Sequence, residues 1–264
     1  MTTQDCRQRY SHLPLCLSVL DESWGFDRFA DAIRALPEDL GPADLLSEKF
    51  HLYSDQRLSI YYAPFDHVNK RARLVLVGVT PGLRQMELAY RAARHGLLVG
   101  DEREAVLASV KRAASFAGSM RTNLIVMLDA LGVPDVLDIT STGSLFEDRA
   151  GLLHSTSAIR YPVFVNGNNY TGHRPRPLDH PVLTAFVEER LAPDLADVAG
   201  ALVVPLGQAV EGCLDALVKG GHLDPARCLF GLPHPSGANV SRVRQFSERR
   251  HGLQQKVRAS FARR

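Results

Sequence analysis

Four short apolar segments, each ending abruptly in turn-forming residues, constrain this chain more than any other feature. Residues 74–79 (LVLVGV) run into Thr80-Pro81-Gly82, and residues 161–165 run into Asn166-Gly167-Asn168-Asn169. Residues 201–204 run into Pro205-Leu206-Gly207-Gln208, and residues 228–232 into Pro233-His234-Pro235-Ser236-Gly237. Helical apolar patterns lie between them, over 83–114, 120–131, 182–191 and 209–218. A strand that is apolar at every residue is buried on both faces, which fits a parallel sheet covered by helices on each side. The expected fold is α/β: three layers, α/β/α, around a central four-stranded parallel sheet. Ligands of such sheets bind outside the carboxyl ends of the strands. Those ends carry this chain's Gly, Pro, Asn and His residues.

The preceding residues read differently. Phe26, Phe29, Ala30, Ile33 and Leu36 fall at helical spacing and Pro37 stops the run. Residues 1–57 are thus expected to form a helical extension. Residues 58–264 form the α/β domain, entered through a strand at 58–63. The apolar run LPLCLSVL at 13–20 is short, lacks a small-residue cleavage site and meets Asp21 and Glu22 at once. It reads as neither a signal peptide nor a membrane span. Cys6, Cys16, Cys213 and Cys228 are far apart, with no Cys-x-x-Cys pair. They do not form the tight local spacing of a zinc or iron–sulfur frame, and unpaired thiols fit a reducing cytoplasm. No metal or cofactor is expected.

Charge is polarised along the chain. The last 38 residues hold nine Lys/Arg, including Arg227, Arg242, Arg244 and Lys256, against the single acid Glu248, although the whole chain carries only +2. A basic end on an otherwise acidic chain suggests a polyanionic partner, and a solvated helix face is the competing reading.

Three motifs at the strand ends carry chemistry. In GVTPG (78–82), Gly78 and Gly82 let backbone approach a ligand and Pro81 stiffens the turn. It is neither a dinucleotide fingerprint nor a Walker loop, and a tight strand exit is the plainer reading. In LPHPSGAN (232–239), prolines on both sides fix the backbone of His234, and Ser236 and Gly237 add a hydroxyl and open N–H groups. Such a loop suits stabilising a developing anion or gripping a phosphate, while the plainer alternative is an exposed turn with an incidental histidine. A serine hydrolase is disfavoured, because GxSxG is absent and Ser236 lies two residues from His234. In VFVNGNNYTGHRPRP (163–177), Asn166, Asn168 and Asn169 follow a strand and offer both donor and acceptor to a nucleobase edge. Arg174 and Arg176 suit phosphates. An Asn-rich turn with surface arginines would look the same.

Taken together and in this order, the motifs resemble those of the uracil-DNA glycosylase superfamily over roughly residues 70–260. GVTPG is similar to its first catalytic motif, LPHPSGAN to its histidine loop, and VVPLGQAV (203–210) to the strand motif between them. SFAGSMRTNLIVMLDALGV (115–133) resembles the Pro-Phe-x-Gly segment and helix of the iron–sulfur branch. The resemblance implies a monofunctional DNA glycosylase, acting as a monomer on duplex or single-stranded DNA and without a membrane. It implies that Phe116 stacks on a flipped base, Asn166 reads its edge, Gly78 and Val79 border it, and His234 stabilises the departing base. It further implies DNA contacts from Pro81, Gly82, Arg174, Arg176, Ser236, Gly237, Asn239, Arg242 and Arg244.

The departures are informative. Thr80 stands where the family has Asp or Asn, and Val79 where the iron–sulfur branch has Glu. The first motif therefore lacks a carboxylate to activate water; Thr80 is expected to act there by positioning the water, and Asp179 after the Arg-Pro loop is the candidate substitute for the carboxylate. Cluster cysteines are missing, and residues 84–114 form an insertion. A changed first motif beside a broad insertion points away from plain uracil, toward bases such as the glucosylated hydroxymethylcytosine of phage DNA. Two other classes fit: a non-catalytic reader of modified or damaged bases, favoured by Thr80, and a nucleotide hydrolase, disfavoured by the basic tail.

Overall fold

A computed structural model describes residues 20, 21 and 23–262. Its strands are β1 (His51–Ser54), β2 (Leu58–Tyr61), β3 (Leu74–Gly78), β4 (Leu153–Ser157), β5 (Val163–Val165), β6 (Asn168–Asn169) and β7 (Leu202–Pro205). The main helices are α1 (Phe26–Arg34), α2 (Leu83–Val99), α3 (Arg103–Ala114), α4 (Ser119–Ala130), α5 (Pro181–Phe186), α6 (Gln208–Lys219) and α7 (Arg242–Ala262). The strands form a parallel sheet in the order β4-β3-β7 and an antiparallel sheet in the order β1-β2-β5-β6.

Alternation along β3 explains its uninterrupted apolar sequence. Leu74 and Leu76, with Leu202 and Val204 of β7, share a core with Leu124 and Leu128 of α4 and Leu253 and Val257 of α7. Val75, Val77 and Val203 point into a second core with Ala89 of α2, Val110 of α3 and Leu214 of α6. Helices therefore cover both faces of the parallel sheet, as a strand buried on both sides requires.

Two of the four expected parallel strands differ. Residues 161–165 supply β5, which pairs antiparallel with β2 (Ser59 opposite Phe164) in the other sheet. The parallel neighbour of β3 is β4, in register Leu74 opposite Leu153 through Gly78 opposite Ser157. Its sequence, LHSTS, has no apolar run after Leu153, so an apolar criterion passes over it. Residues 228–232 meet β7 only at the bridge between Val203 and Cys228. Beyond it the backbone is held by side chains: Gly231 (φ +100°) donates its N–H to the Glu211 carboxylate at 2.6 Å, and Arg249 donates to the Gly231 carbonyl at 3.1 Å. Among the described residues the parallel sheet thus has three strands, not four.

The helical pattern over 83–114 is broken into α2 and α3 by Gly100, which takes a left-handed conformation at φ +80°. The pattern over 182–191 runs on from α5 through a π turn at Val187–Leu191 into Ala192–Asp197. The N-terminal helix forms as the spacing indicates, burying Phe26, Phe29 and Ile33. Phe29 stacks on Tyr62 with ring centroids 4.0 Å apart, and β1 pairs with β2 across the 57/58 boundary, so Leu20, Phe26, Phe29, Ile33, Leu45 and Phe50 belong to the main core. Cys6, Cys16 and most of the 13–20 run lie outside the described residues. Cys213 and Cys228 are free and buried, and burial pushes the Cys213 thiol up to about 12 and the Cys228 thiol to about 11. Among the described residues no helix is long and apolar enough to cross a membrane, and no group of three His, Cys, Asp or Glu side chains converges as a metal site.

Candidate functional site

A cleft of about 760 Å³ opens at the carboxyl ends of β3, β4 and β7. Gly78, Val79, Thr80 and Pro81 leave β3 into its wall, Ser155, Thr156 and Ser157 come from β4, and Leu206 and Gly207 follow β7. His234, Ser236 and Asn239 line it from the loop that ends at α7, and Phe116 from the segment before α4.

The histidine loop is held rigidly by the groups around it. Asn123 of α4 donates to the Pro235 carbonyl at 2.9 Å, Arg242 to the Ser236 carbonyl at 2.7 Å, and Asn239 to the His234 carbonyl at 3.2 Å. The Ser236 N–H donates to Nδ1 of His234 at 3.2 Å. A nitrogen accepting that bond carries no proton, so the neutral ring holds its proton on Nε2. Burial, with the charge of nearby His173, pulls the His234 pKa below its ordinary value. The ring is accordingly a neutral Nε2–H donor at pH 7. Its close packing depends on Gly207, where a Cβ would stand 3.0 Å from the His234 Cβ and 3.1 Å from Cδ2.

The β3 turn has a different chemistry from the one its sequence suggests. The Thr80 hydroxyl donates to the Tyr161 carbonyl at 2.8 Å, tying the turn to the segment before β5. Phe116 adopts φ +53°, an outlier for a bulky residue, and its ring edge would lie 3.1 Å from a Cβ at Gly78. Glycine at 78 thus lets the aromatic ring lie against the end of β3. Phe116 is only 9% exposed, so one part of the side chain is core and another borders the cleft.

Other expected site residues lie elsewhere. Asn166 is exposed at φ +49°, followed by Gly167 at φ +74°; together they make the β5–β6 hairpin turn, which explains the Asn-Gly pair. Asn169 is the asparagine of that stretch that lines the cleft, its Oδ1 accepting the Leu83 N–H at 2.9 Å. Asp179 is exposed in a short 3-10 turn (Pro177–Asp179) and is not part of the wall. Among the described residues the one carboxylate of the wall is Glu211, on the first turn of α6. Gly82, Arg174, Arg176, Gly237, Arg242 and Arg244 are also outside the wall. Arg174, Arg176 and Arg244 are exposed, whereas Arg242 spends its guanidinium on loop carbonyls. Arg227 likewise donates to the Val198 carbonyl at 2.7 Å, so the basic C-terminal end is partly structural.

Sequence reasoning missed the cationic end of the cleft. Lys111 of α3 lines the wall and donates from Nζ to the Ser155 carbonyl at 2.8 Å. Beside it Arg160 grips both Asp194 oxygens, at 2.6 and 2.7 Å, and Asp66 accepts hydroxyl bonds from Tyr62 and Tyr161, each at 2.7 Å. Burial, reinforced by the Arg160 charge, pulls the Lys111 amine down to about 7, although Asp194 and Asp66 oppose it. A lysine inside a helical insertion carries no sequence signal of this. His173 was legible within TGHRPRP, but the flanking arginines drew the phosphate reading. Val240, 94% exposed just past the histidine loop, was missed as well.

No family profile matches the chain. It is 42% identical over 236 residues to the uncharacterized protein YoxB of Bacillus subtilis (strain 168), a match spanning 89% of this chain and 92% of that protein.

Proposed function

The chain belongs to the same family as YoxB, and we propose that it is a DNA glycosylase. It would flip a non-canonical or modified base and hydrolyse its N-glycosidic bond, leaving an abasic site. The observation that carries this reading is the histidine loop: a half-buried, neutral imidazole whose Nδ1 accepts the Ser236 N–H, leaving Nε2–H as donor at a cleft that Phe116 also borders. Breaking an N-glycosidic bond leaves negative charge on the base, and a donor already in place for that charge lowers the barrier most. Within this reading the parallel sheet is a three-layer α/β/α core whose fourth strand is reduced to the bridge at Cys228.

The remaining parts follow from the wall. The flipped base stacks on Phe116, and Asn169 replaces Asn166 as the amide that meets its edge. Glu211 replaces Asp179 as the carboxylate for the attacking water, with one oxygen held by the Gly231 N–H and the other available. Thr80 shapes the turn, since its proton is given to the Tyr161 carbonyl. The N-terminus of α6, at Gly207 and Gln208 in the wall, and the Ser236 loop suit a flanking phosphate. Val240 is an apolar side chain placed to enter the base stack vacated by flipping, a known use of exposed apolar wedges. Flipping costs a few kcal/mol, which these contacts must offset. A volume of about 760 Å³ lies within the usual range for small-molecule sites, roughly 300–1,000 Å³, and leaves room for a substituted base such as a modified cytosine.

A second reading, a non-catalytic reader of modified bases, is favoured by the first motif, where no carboxylate stands and the Thr80 hydroxyl is committed to backbone. One experiment separates the two. Oligonucleotides carrying uracil, hypoxanthine or hydroxymethylcytosine, and glucosylated phage DNA, are incubated with protein and treated with alkali. Breaks at the test base, before or after alkali, support excision; retention on that DNA without breaks under either condition supports the reader.

A further inference from the structure

Lys111 is the chemically active group that the excision chemistry leaves unused. Its amine lines the cleft, gives one hydrogen bond to the carbonyl of Ser155 on the sheet's edge strand, and sits 5.7 Å from the centre of the Phe65 ring. Among the described residues no carboxylate lies within ion-pairing distance of it. The two that bear on it are engaged, Asp194 by both bonds from Arg160 and Asp66 by the hydroxyls of Tyr62 and Tyr161. On its other sides stand Arg160, His67 and His154, whose histidine pKa values burial pulls down. An amine crowded by a fixed guanidinium and half-buried in the cleft wall is in part unprotonated at neutral pH, which is how lysines become nucleophiles toward carbonyl carbon.

We propose that Lys111 is a nucleophile that forms an imine with an aldehyde bound in the cleft, and that this aldehyde is the ring-opened abasic sugar left after base release. The identity of the aldehyde rests on the glycosylase reading; the reactivity of the amine does not. The Nζ lone pair adds to C1′, and loss of water gives the protonated imine. That imine acidifies C2′. The C2′ proton passes to water, its electron pair forms the C2′–C3′ double bond, and the 3′ phosphate leaves with the C3′–O electrons. Water then hydrolyses the imine and returns the amine. The protein would then cut the strand at the site it has made, a departure from the monofunctional activity that the resemblance implies.

The test uses an oligonucleotide with a preformed abasic site, full-length protein and sodium borohydride, which reduces an imine to a stable amine. The expected result is a covalent protein–DNA adduct whose crosslinked peptide contains Lys111. Its yield should rise as pH passes upward through about 7. Lys111→Met and Lys111→Arg should both lose it, the arginine variant supplying a fixed positive charge with no nucleophile and so separating nucleophilicity from charge. No adduct with the wild-type protein, or an adduct mapped to another amine, overturns the proposal even if a variant fails to fold. Because the abasic site is supplied, trapping without base excision would defeat the glycosylase reading alone, and excision without trapping would defeat this inference alone.

Discussion

Replacing Gly207 with alanine tests the link between backbone conformation and the placement of His234. Gly207 has φ +90° and ψ 169°, a region open essentially to glycine alone, and forcing another residue there costs about 1–3 kcal/mol. The new Cβ would also stand 3.0 Å from the His234 Cβ. That atom is next to backbone, and Pro233 and Pro235 prevent the loop from yielding without moving as a unit. A total near the upper end of that range, about 3 kcal/mol, is therefore expected. For a protein of this size about 1 kcal/mol shifts the melting temperature by roughly 2–4 °C, so Gly207→Ala should melt roughly 6–12 °C below wild type. Gly237→Ala is the control, since no atom lies within 4 Å of its added Cβ and its φ is not positive. Thermal melts and urea midpoints of the three proteins decide the matter. If Gly207→Ala melts with the wild type, the packing of His234 against this glycine is wrong.

Three further outcomes are expected. The Lys111 amine titrates near 7 when folded against 10.5 for an ordinary lysine, so the unfolded chain binds that proton more readily in between. Stability should rise with pH across that window, by up to about 1.4 kcal/mol per pH unit, and Lys111→Met should flatten the rise in urea midpoints. Phe116→Leu, which preserves much of the packing, should slow excision by about 1–3 kcal/mol of lost stacking with little change in melting temperature; unchanged single-turnover rates would make Phe116 core alone. DNA affinity should fall with salt, and Arg244→Ala should reduce the log–log slope by about 0.9 if that exposed residue meets one phosphate.

What could be read from the sequence follows physical lines. β3 and β7 were legible because burial on both faces makes every residue apolar. β4 was not, because its Ser155-Thr156-Ser157 end faces the cleft, and polar residues at a strand end erase the signal that would reveal the strand. Residues 161–165 are apolar enough to look parallel, yet the Asn166-Gly167 pair that follows is a hairpin signal, and its asparagines resemble a base-reading loop only while that signal is set aside. His234 and Gly78 were legible because prolines and glycines mark backbone that must be fixed or approached. Lys111 and Glu211 come from helices, and their place in the cleft depends on how α3 and α6 pack, which no local pattern encodes. Arg242 looked like a phosphate ligand because a charge count does not distinguish a guanidinium facing solvent from one bonded to loop carbonyls.

In the proposed reaction His234 donates from Nε2 to a base leaving with negative charge. Its most direct test is single-turnover excision by wild type and His234→Ala on whichever substituted base the alkali screen identifies, with DNA affinity measured in parallel. Losing one such donor costs about 10²–10³ in rate, so excision should fall by that factor while affinity stays within about a few-fold. Excision by His234→Ala at the wild-type rate would contradict the account.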